Sequence, residues 1–207
     1  MIGIAVGNEQ TNTGQINAGI NYAKNLVNQK RLPSCLVTTV LAENTYWLQS
    51  TYPPNAARFT GNFMQIASNL DAICFNMYDG YFNPQIALDT RLSWTSIPSQ
   101  SKFSLTLNAF GAIRFAMQAA NLENRPFWVT ESGWATQGNI PGSTVQNLQT
   151  FYDNFYSFDM NSKFYPQQSN VMVSPPERIF YFTIRDVPNE DNYYGLYYNK
   201  TSLDPKF

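Results

Sequence analysis

Short apolar segments alternate along this chain with longer segments in which apolar residues recur at helical spacing, and this alternation limits the folds that it can adopt. The apolar segments span residues 2–7, 36–41, 72–78, 127–130 and 179–184, and they are rich in β-branched and aromatic residues. Most are apolar on both faces, which is typical of parallel strands covered by helices on each side. The pattern therefore predicts an α/β protein built on a parallel sheet.

Three of the segments between these strands have apolar residues three or four positions apart, as one buried face of a helix requires. A fourth helix is predicted to begin after Ser143, because Ser143 and Gln146 have the spacing of a capping box. The order of elements is βα repeated four times and followed by a fifth strand. The three apolar stripes are Ile16, Ile20, Ala23 and Val27; Phe59, Phe63, Ile66 and Leu70; and Leu107, Phe110, Ile113 and Met117.

Repeated βα units form either an open doubly wound sheet or a closed eight-stranded barrel. A dinucleotide-binding doubly wound sheet needs a Gly-rich turn after its first strand, and the sequence Gly7-Asn8-Glu9-Gln10 does not supply one. Polar residues follow each predicted strand instead, and in a barrel these strand ends form the active-site face. They are Asn8-Glu9, Thr38-Thr39, Asn76 with Tyr78, Thr130-Glu131 and Arg185-Asp186.

The composition excludes several classes of function. The 207 residues include no histidine, so Ser-His-Asp and Cys-His nucleophile systems and imidazole metal ligands are absent. A net charge of -1 leaves no broad basic field for nucleic acid. No apolar run approaches the roughly 18 to 20 residues that span a bilayer. Charged residues make up 13% of the chain, about half the usual share, which suits a neutral, hydroxyl-rich ligand.

Glu9 and Glu131 each follow a predicted strand and have no cationic neighbour in sequence. Cleavage of a glycosidic bond uses two carboxyl groups, one that protonates the leaving oxygen and one that attacks or stabilises the anomeric carbon. Retaining enzymes hold these groups about 5 to 5.5 Å apart, and a barrel brings the ends of separate strands together. The alternative is that each glutamate only caps a following helix or pairs with an arginine.

Five motifs resemble those of glycoside hydrolase family 17, in that family's order and at about its spacing. The family contains retaining β-1,3-glucanases and related glucan-modifying enzymes with a (β/α)8 barrel. The resemblance covers essentially the whole chain. The motifs are Ile4-Ala5-Val6-Gly7-Asn8-Glu9, Tyr52-Pro53-Pro54, Asn76-Met77-Tyr78 with Tyr81-Phe82, Val129-Thr130-Glu131-Ser132-Gly133-Trp134, and Tyr194-Gly195-Leu196-Tyr197.

The resemblance implies a role for several of these residues. Glu9 corresponds to the general acid/base and Glu131 to the nucleophile of a double displacement. Asn8 corresponds to an asparagine that hydrogen-bonds the sugar 2-hydroxyl, and Tyr78 to a tyrosine that hydrogen-bonds near the nucleophile. No metal or organic cofactor is implied, and the expected partner is a β-glucan polysaccharide or oligosaccharide.

Aromatic and amide side chains complete the expected substrate-binding set. Trp134 corresponds to the tryptophan of the family's Glu-(Ser/Thr)-Gly-Trp motif and is expected to stack on a sugar ring. Tyr81 and Phe82 either stack on sugar or pack in the core, and their sequence does not separate the two. Asn76 joins the set through its motif, and Asp186 through the first acid of the family's Phe-Asp-Glu segment.

Two departures from the family pattern accompany the resemblance. Val187 replaces the second acid of the Phe-Asp-Glu segment, which affects the expected affinity or subsite preference. Residues 2–7 correspond to the fourth strand of the barrel, so residues 1–207 are expected to form a single, partial domain of the (β/α)8-barrel type with strands 4 to 8. Five strands cannot close an eight-stranded barrel. The chain is therefore expected to be a fragment, or to be completed by another chain through its open edges.

The leading functional prediction is a retaining β-1,3-glucan hydrolase. A glucan transglycosylase, in which a sugar hydroxyl replaces water, and a non-catalytic glucan-binding fragment are the alternatives. A secreted or cell-wall location is implied by the resemblance, although the first residues lack the features of a signal peptide. Cys35 and Cys74 each precede a strand-end polar residue by four positions, so we expect them to lie at similar heights on neighbouring strands. They are expected to form either a disulfide or two free thiols.

Overall fold

The computed structural model describes residues 3–32, 34–49, 53–78, 105–166, 168–186, 191–198 and 205–207. These residues form strands and helices in the predicted alternation. In chain order the elements are β1 (Gly3–Asn8), α1 (Thr13–Gln29), β2 (Leu36–Ala42), a 3-10 helix (Pro54–Ala56), α2 (Gly61–Ala67), β3 (Ile73–Asn76), α3 (Leu105–Ala119), β4 (Phe127–Ser132), α4 (Val145–Tyr156) and β5 (Arg178–Tyr181).

The five strands form one sheet in the order β1-β2-β3-β4-β5, in which each strand is adjacent to the next one in sequence. β1 pairs with β2 and β2 pairs with β3, both in parallel. In a doubly wound sheet the order of the strands reverses partway across the sheet, whereas consecutive strands of a (β/α)8 barrel are neighbours all the way around it. The sequential order therefore confirms the predicted barrel-type α/β fold, in an incomplete form.

The prediction that the strands are covered on both faces is correct for β2 and β3 and wrong for β1 and β5, and the residues of β5 are exposed or half-buried. β2 and β3 are buried along nearly their whole length. Residues of β1 are half-buried or exposed, because β1 lies at the end of the strand order and has a neighbour on one side only. No helix among the described residues is long and apolar enough to cross a membrane.

The described residues form two compact units. The first lies within residues 1–77, 111–130 and 176–179, and the second within 78–110, 131–175 and 180–207. In the first unit, the predicted stripe of α1 is buried, and this helix contacts β1, β2 and α2. The four predicted stripe residues of α3 are also buried.

Two helices begin or end at residues other than those predicted. Phe59 and Leu70 are buried but lie outside α2, which begins after Thr60, whose Oγ1 accepts a hydrogen bond from the Phe63 N–H at 3.3 Å. The N-cap of α4 is Thr144 rather than Ser143. Thr144 Oγ1 accepts from the Asn147 N–H at 3.1 Å, which corrects the predicted capping box by one residue.

The two cysteines are free, buried thiols. Leu41 is level with Phe75 in the β2–β3 register, so Cys74 is level with Val40, five residues from Cys35 along the chain. At about 3.3 Å per residue, this offset exceeds the Cα separation of about 7 Å that a disulfide tolerates. The expectation of similar heights is therefore wrong. Burial raises the pKa of the Cys74 thiol to about 12, against a smaller lowering effect of the Thr38 hydroxyl.

Candidate active site

In the first unit, a bulge at the end of β1 sets the backbone of Asn8 and Glu9. Val6 and Gly7 face the single residue Thr39 between the paired positions at either side, and Gly7 has a φ of 77°. Glu9 itself has a φ of 54°, a left-handed conformation that is uncommon for a non-glycine residue and that clusters at functional sites. This backbone turn leaves the Glu9 side chain exposed just beyond the carboxyl end of β1.

Asn76, at the end of β3, fixes both of these side chains. Its Nδ2 donates to Asn8 Oδ1 at 3.1 Å and to Glu9 Oε1 at 3.0 Å. Its Oδ1 accepts from Thr130 Oγ1 at 2.9 Å. Asn76 is only 2% exposed, so its side-chain amide is buried and makes these hydrogen bonds to protein groups instead of to solvent. The predicted contact between Asn76 and sugar stays a prediction, and the structure adds a role in orienting Asn8 and Glu9.

The second unit contains Glu131, which lies next to the last residue of β4. Tyr78 Oη donates a hydrogen bond to Glu131 Oε2 at 2.7 Å, which is the contact that the family resemblance implied for Tyr78. A donor at this distance from a carboxylate forms a charge-assisted hydrogen bond that favours the ionised form. The Tyr78 ring lies against Tyr194 and Phe182, with centroid separations of 5.3 and 6.3 Å.

The backbone that follows Glu131 is held at close range by the chain after β5. The Phe182 N–H donates to the Ser132 carbonyl oxygen at 2.8 Å. A Cβ added at Gly133 would lie 2.1 Å from the Phe182 carbonyl oxygen. Only glycine, which has no Cβ, allows the backbone at position 133 to lie this close to the Phe182 carbonyl, and this accounts for the glycine of the Glu-Ser-Gly-Trp motif.

Trp134 is buried, with 1% exposure. Its indole Nε1 donates to the Gly142 carbonyl oxygen at 3.0 Å, and its ring packs at an angle against Phe151. In this arrangement the indole fills the core of the second unit, so stacking of Trp134 on sugar remains a prediction without a structural observation behind it. Tyr81, Phe82 and Val187 lie outside the described residues.

Asp186 is buried in an ion pair that was not predicted from the sequence. Its Oδ1 lies 2.8 Å from Lys206 Nζ and also accepts from the Gly195 N–H at 2.8 Å. This contact gives Asp186 a role inside the fold, while its predicted contact with sugar stays untested. The sequence carries no signal for the pair, because 20 residues separate Asp186 from Lys206.

The described residues include no group of three or more His, Cys, Asp or Glu side chains arranged to hold a metal ion. The polar side chains collected at the strand ends are instead an amide network around Glu9 in one unit and a tyrosine–carboxylate pair at Glu131 in the other. In folds of the (β/α)8 type, the carboxyl ends of the strands form the active-site face.

Comparison with known proteins finds curated relatives that are named glucan endo-1,3-β-glucosidases. An acidic glucan endo-1,3-β-glucosidase isoform of Nicotiana tabacum is 30% identical over 169 residues, which cover 73% of this chain and 47% of that protein. The chain thus spans about half the length of the curated relatives it matches. No family model matches the sequence.

Solved structures share the fold. A β-1,3-glucanase and pollen allergen of Cryptomeria japonica has a TM-score of 0.72 at 18% identity, over 98% of this chain and 72% of that chain. A family 17 β-1,3-glucanosyltransferase from Rhizomucor miehei has a TM-score of 0.51 at 16% identity, over 94% and 58%. These solved structures show the shared fold, and together with the curated relatives they bear out the resemblance to glycoside hydrolase family 17 that the motifs predicted.

Proposed function

We propose that this protein is a retaining β-1,3-glucan hydrolase in which Glu131 is the nucleophile and Glu9 the general acid/base. The observation that supports the proposal most directly is the 2.7 Å hydrogen bond from Tyr78 Oη to Glu131 Oε2. A nucleophilic carboxylate must be ionised when substrate binds, and a short tyrosine donor stabilises that state. The names of the tobacco and Cryptomeria relatives give the substrate class, β-1,3-glucan.

Double displacement assigns one bond-breaking event to each glutamate. The Glu131 carboxylate attacks the anomeric carbon while the glycosidic C–O bond breaks, and protonated Glu9 gives its proton to the departing oxygen. Water then attacks the glycosyl ester, Glu9 takes the proton from that water, and Glu131 is released. No hydrogen bond from a described residue occupies Glu9 Oε2, whereas Oε1 accepts from Asn76. Oε2 is therefore the oxygen that we assign to carry the transferred proton.

Substitution of each glutamate tests these roles. Glu131→Gln should abolish hydrolysis of laminarin, and Glu9→Gln should lower kcat about 10²- to 10⁴-fold for a substrate with a poor leaving group. Glu123→Gln, which changes an exposed glutamate, is the matched control. Circular dichroism establishes that each variant is folded. Full activity in folded Glu131→Gln would refute the assignment.

Azide separates the two roles with a substrate that has a good leaving group. In Glu9→Ala, azide should attack the glycosyl–Glu131 ester and give a glycosyl azide of retained configuration, because two inversions occur. In Glu131→Ala, azide should attack the substrate directly and give the inverted azide, because one inversion occurs. The opposite configurations would show that the roles are exchanged.

A transglycosylase is the second candidate, because one solved relative is a family 17 β-1,3-glucanosyltransferase. In that reaction a sugar hydroxyl attacks the glycosyl–Glu131 ester in place of water. Product lengths distinguish the candidates, since a hydrolase releases only products shorter than its substrate and a transferase also makes longer ones. Binding of laminarin without any cleavage by the protein would favour the non-catalytic alternative.

The organisation and location of the protein belong to the same proposal. We propose that residues 1–207 belong to a single barrel domain, for which one cooperative unfolding transition by both fluorescence and circular dichroism is expected. Secretion or attachment to the cell wall is proposed from the family resemblance, and fractionation of the producing cells tests it. Association through open sheet edges is tested by sedimentation.

A further inference from the structure

Lys206, which directly precedes Phe207, is a buried cation in the second unit. Its side chain is 1% exposed and that of its partner Asp186 is 8% exposed. Lys206 Nζ lies 2.8 Å from Asp186 Oδ1 and donates to Thr136 Oγ1 at 2.7 Å. Burial of a lysine requires compensation by opposite charge and hydrogen bonds, and these two partners supply both.

Asp186 transmits this contact to the segment 193–197. The oxygen that pairs with Lys206 also accepts the Gly195 N–H at 2.8 Å. A Cβ at Gly195 would lie 2.1 Å from the Asp186 backbone nitrogen, so the two segments are in direct backbone contact. The Lys206 N–H in turn donates to the Leu196 carbonyl oxygen at 2.9 Å. Lys206 thus holds the segment through its side chain and its backbone together.

Tyr194, in the same segment, contacts the donor to Glu131. Its ring centroid lies 5.3 Å from that of Tyr78, and Tyr78 Oη donates to Glu131 Oε2. The Tyr194 carbonyl oxygen accepts from Tyr181 Oη at 3.3 Å. Burial, together with the nearby Tyr152 and Asp186, raises the pKa of Tyr181, so this hydroxyl stays protonated and remains a donor.

We propose that Lys206 is a positioning residue for Glu131. Its ion pair with Asp186 fixes Gly195, and with it the Tyr194 ring that supports Tyr78 in its hydrogen bond to the carboxylate. This inference rests on the proposed role of Glu131 as nucleophile. Loss of the ion pair should shift Tyr78, and small displacements around a reacting group reduce turnover more than substrate binding.

The first experiment compares Lys206→Met with Lys206→Arg in the laminarin assay. Lys206→Met should lower kcat about tenfold to a hundredfold with little change in KM, the scale expected from displacement of a group near the reacting atoms. Lys206→Arg, which keeps the charge, should recover most of that loss. Lys163→Met is the matched control, because Lys163 is an exposed lysine of the same unit, and it should have the kcat of the unaltered protein.

A double-mutant cycle with Tyr78→Phe separates positioning from general loss of structure. If Lys206 acts through Tyr78, Lys206→Met should have almost no further effect on kcat once the Tyr78 hydroxyl is absent. Fully additive effects on kcat would overturn the proposal. The neutral pair Lys206→Met with Asp186→Asn avoids an uncompensated buried charge and keeps an acceptor for Gly195. Unaltered kcat in this folded double variant would also overturn it.

Glu131→Gln, measured in parallel, distinguishes the two levels of inference. An active, folded Glu131→Gln would refute the proposed function and the positioning role that depends on it. An inactive Glu131→Gln together with an additive cycle would refute the positioning of Tyr78 by Lys206 alone. An inactive Glu131→Gln together with non-additivity and rescue by arginine supports both.

Discussion

Replacement of Asn76 by alanine should destabilise the first unit and reduce activity together. The change removes three hydrogen bonds, those to Asn8, to Glu9 and from Thr130. Each is worth about 1 kcal/mol net, and exposure of the Glu9 carboxylate reduces its share. The sum is about 2 to 3 kcal/mol, equivalent to a fall in Tm of roughly 5 to 10 °C for a chain of this size.

Thermal unfolding by calorimetry, with Asn8→Ala as the control, measures this effect. Asn8→Ala removes only one of the three bonds, from an exposed residue, and should cost about 1 kcal/mol or less. Asn76→Ala should also lower kcat, because Glu9 loses the donor that orients its carboxylate. If Asn76→Ala is no less stable than Asn8→Ala, the network is not the support of Glu9 that its geometry indicates.

Three further predictions concern local features. Gly133→Ala should lower the free energy of unfolding by about 3 kcal/mol or more, because its Cβ would lie 2.1 Å from a backbone carbonyl oxygen. Gly61→Ala should be neutral or stabilising by up to about 1 kcal/mol, because its Cβ meets nothing within 4 Å. Denaturant unfolding of both variants compares the two changes. Thr144→Ala should lower the free energy of unfolding by about 1 kcal/mol, because it removes the N-cap of α4, and Ser143→Ala should lower it clearly less. Equal losses of stability in the same assay would contradict Thr144 as the cap. Cys74, with a pKa of about 12, should resist alkylation at pH 8 in the native protein and react after unfolding, as mass spectrometry of its peptide would show. The Cys74 thiol of the unfolded chain has a pKa near the ordinary value of 9.0, so its contribution to the free energy of unfolding is complete below pH 9 and is lost as the pH rises toward 12. If the stability of Cys74→Ala falls with pH in this range as steeply as that of the unaltered protein, this contribution is refuted.

The sequence was sufficient for features that depend on periodicity. Every residue of the α1 stripe is buried, because one face of a helix meets the sheet wherever apolar residues repeat three or four positions apart. Helix limits were less predictable. The hydroxyls of Ser143 and Thr144 are equally suited to capping, and the choice depends on which one meets a free N–H. Likewise, Phe59 continues the apolar stripe of α2 although the helix starts after the Thr60 cap.

Side-chain partners far apart in sequence could not be predicted. Nothing near Asp186 indicates that Lys206 will neutralise it, since the pair forms only when the end of the chain returns to segment 193–197. The hydrogen bond from the Trp134 indole N–H to the Gly142 carbonyl joins residues only eight positions apart, but it was also not predicted, because the motif of Trp134 indicated a ring for sugar. The hydrogen bond from Tyr78 to Glu131 was anticipated only through the family resemblance, because 53 residues separate the two.

The order of strands in the sheet also has a consequence for folding kinetics. Each strand is adjacent to the strand nearest in sequence, so every pairing closes a loop of one βα unit and the entropy lost at each step stays small. A growing chain can therefore add one strand at a time in the direction of synthesis, without waiting for residues from its far end. Until the next unit arrives, the last strand presents unpaired backbone groups, and the rate of synthesis then determines how long that edge is available to other chains.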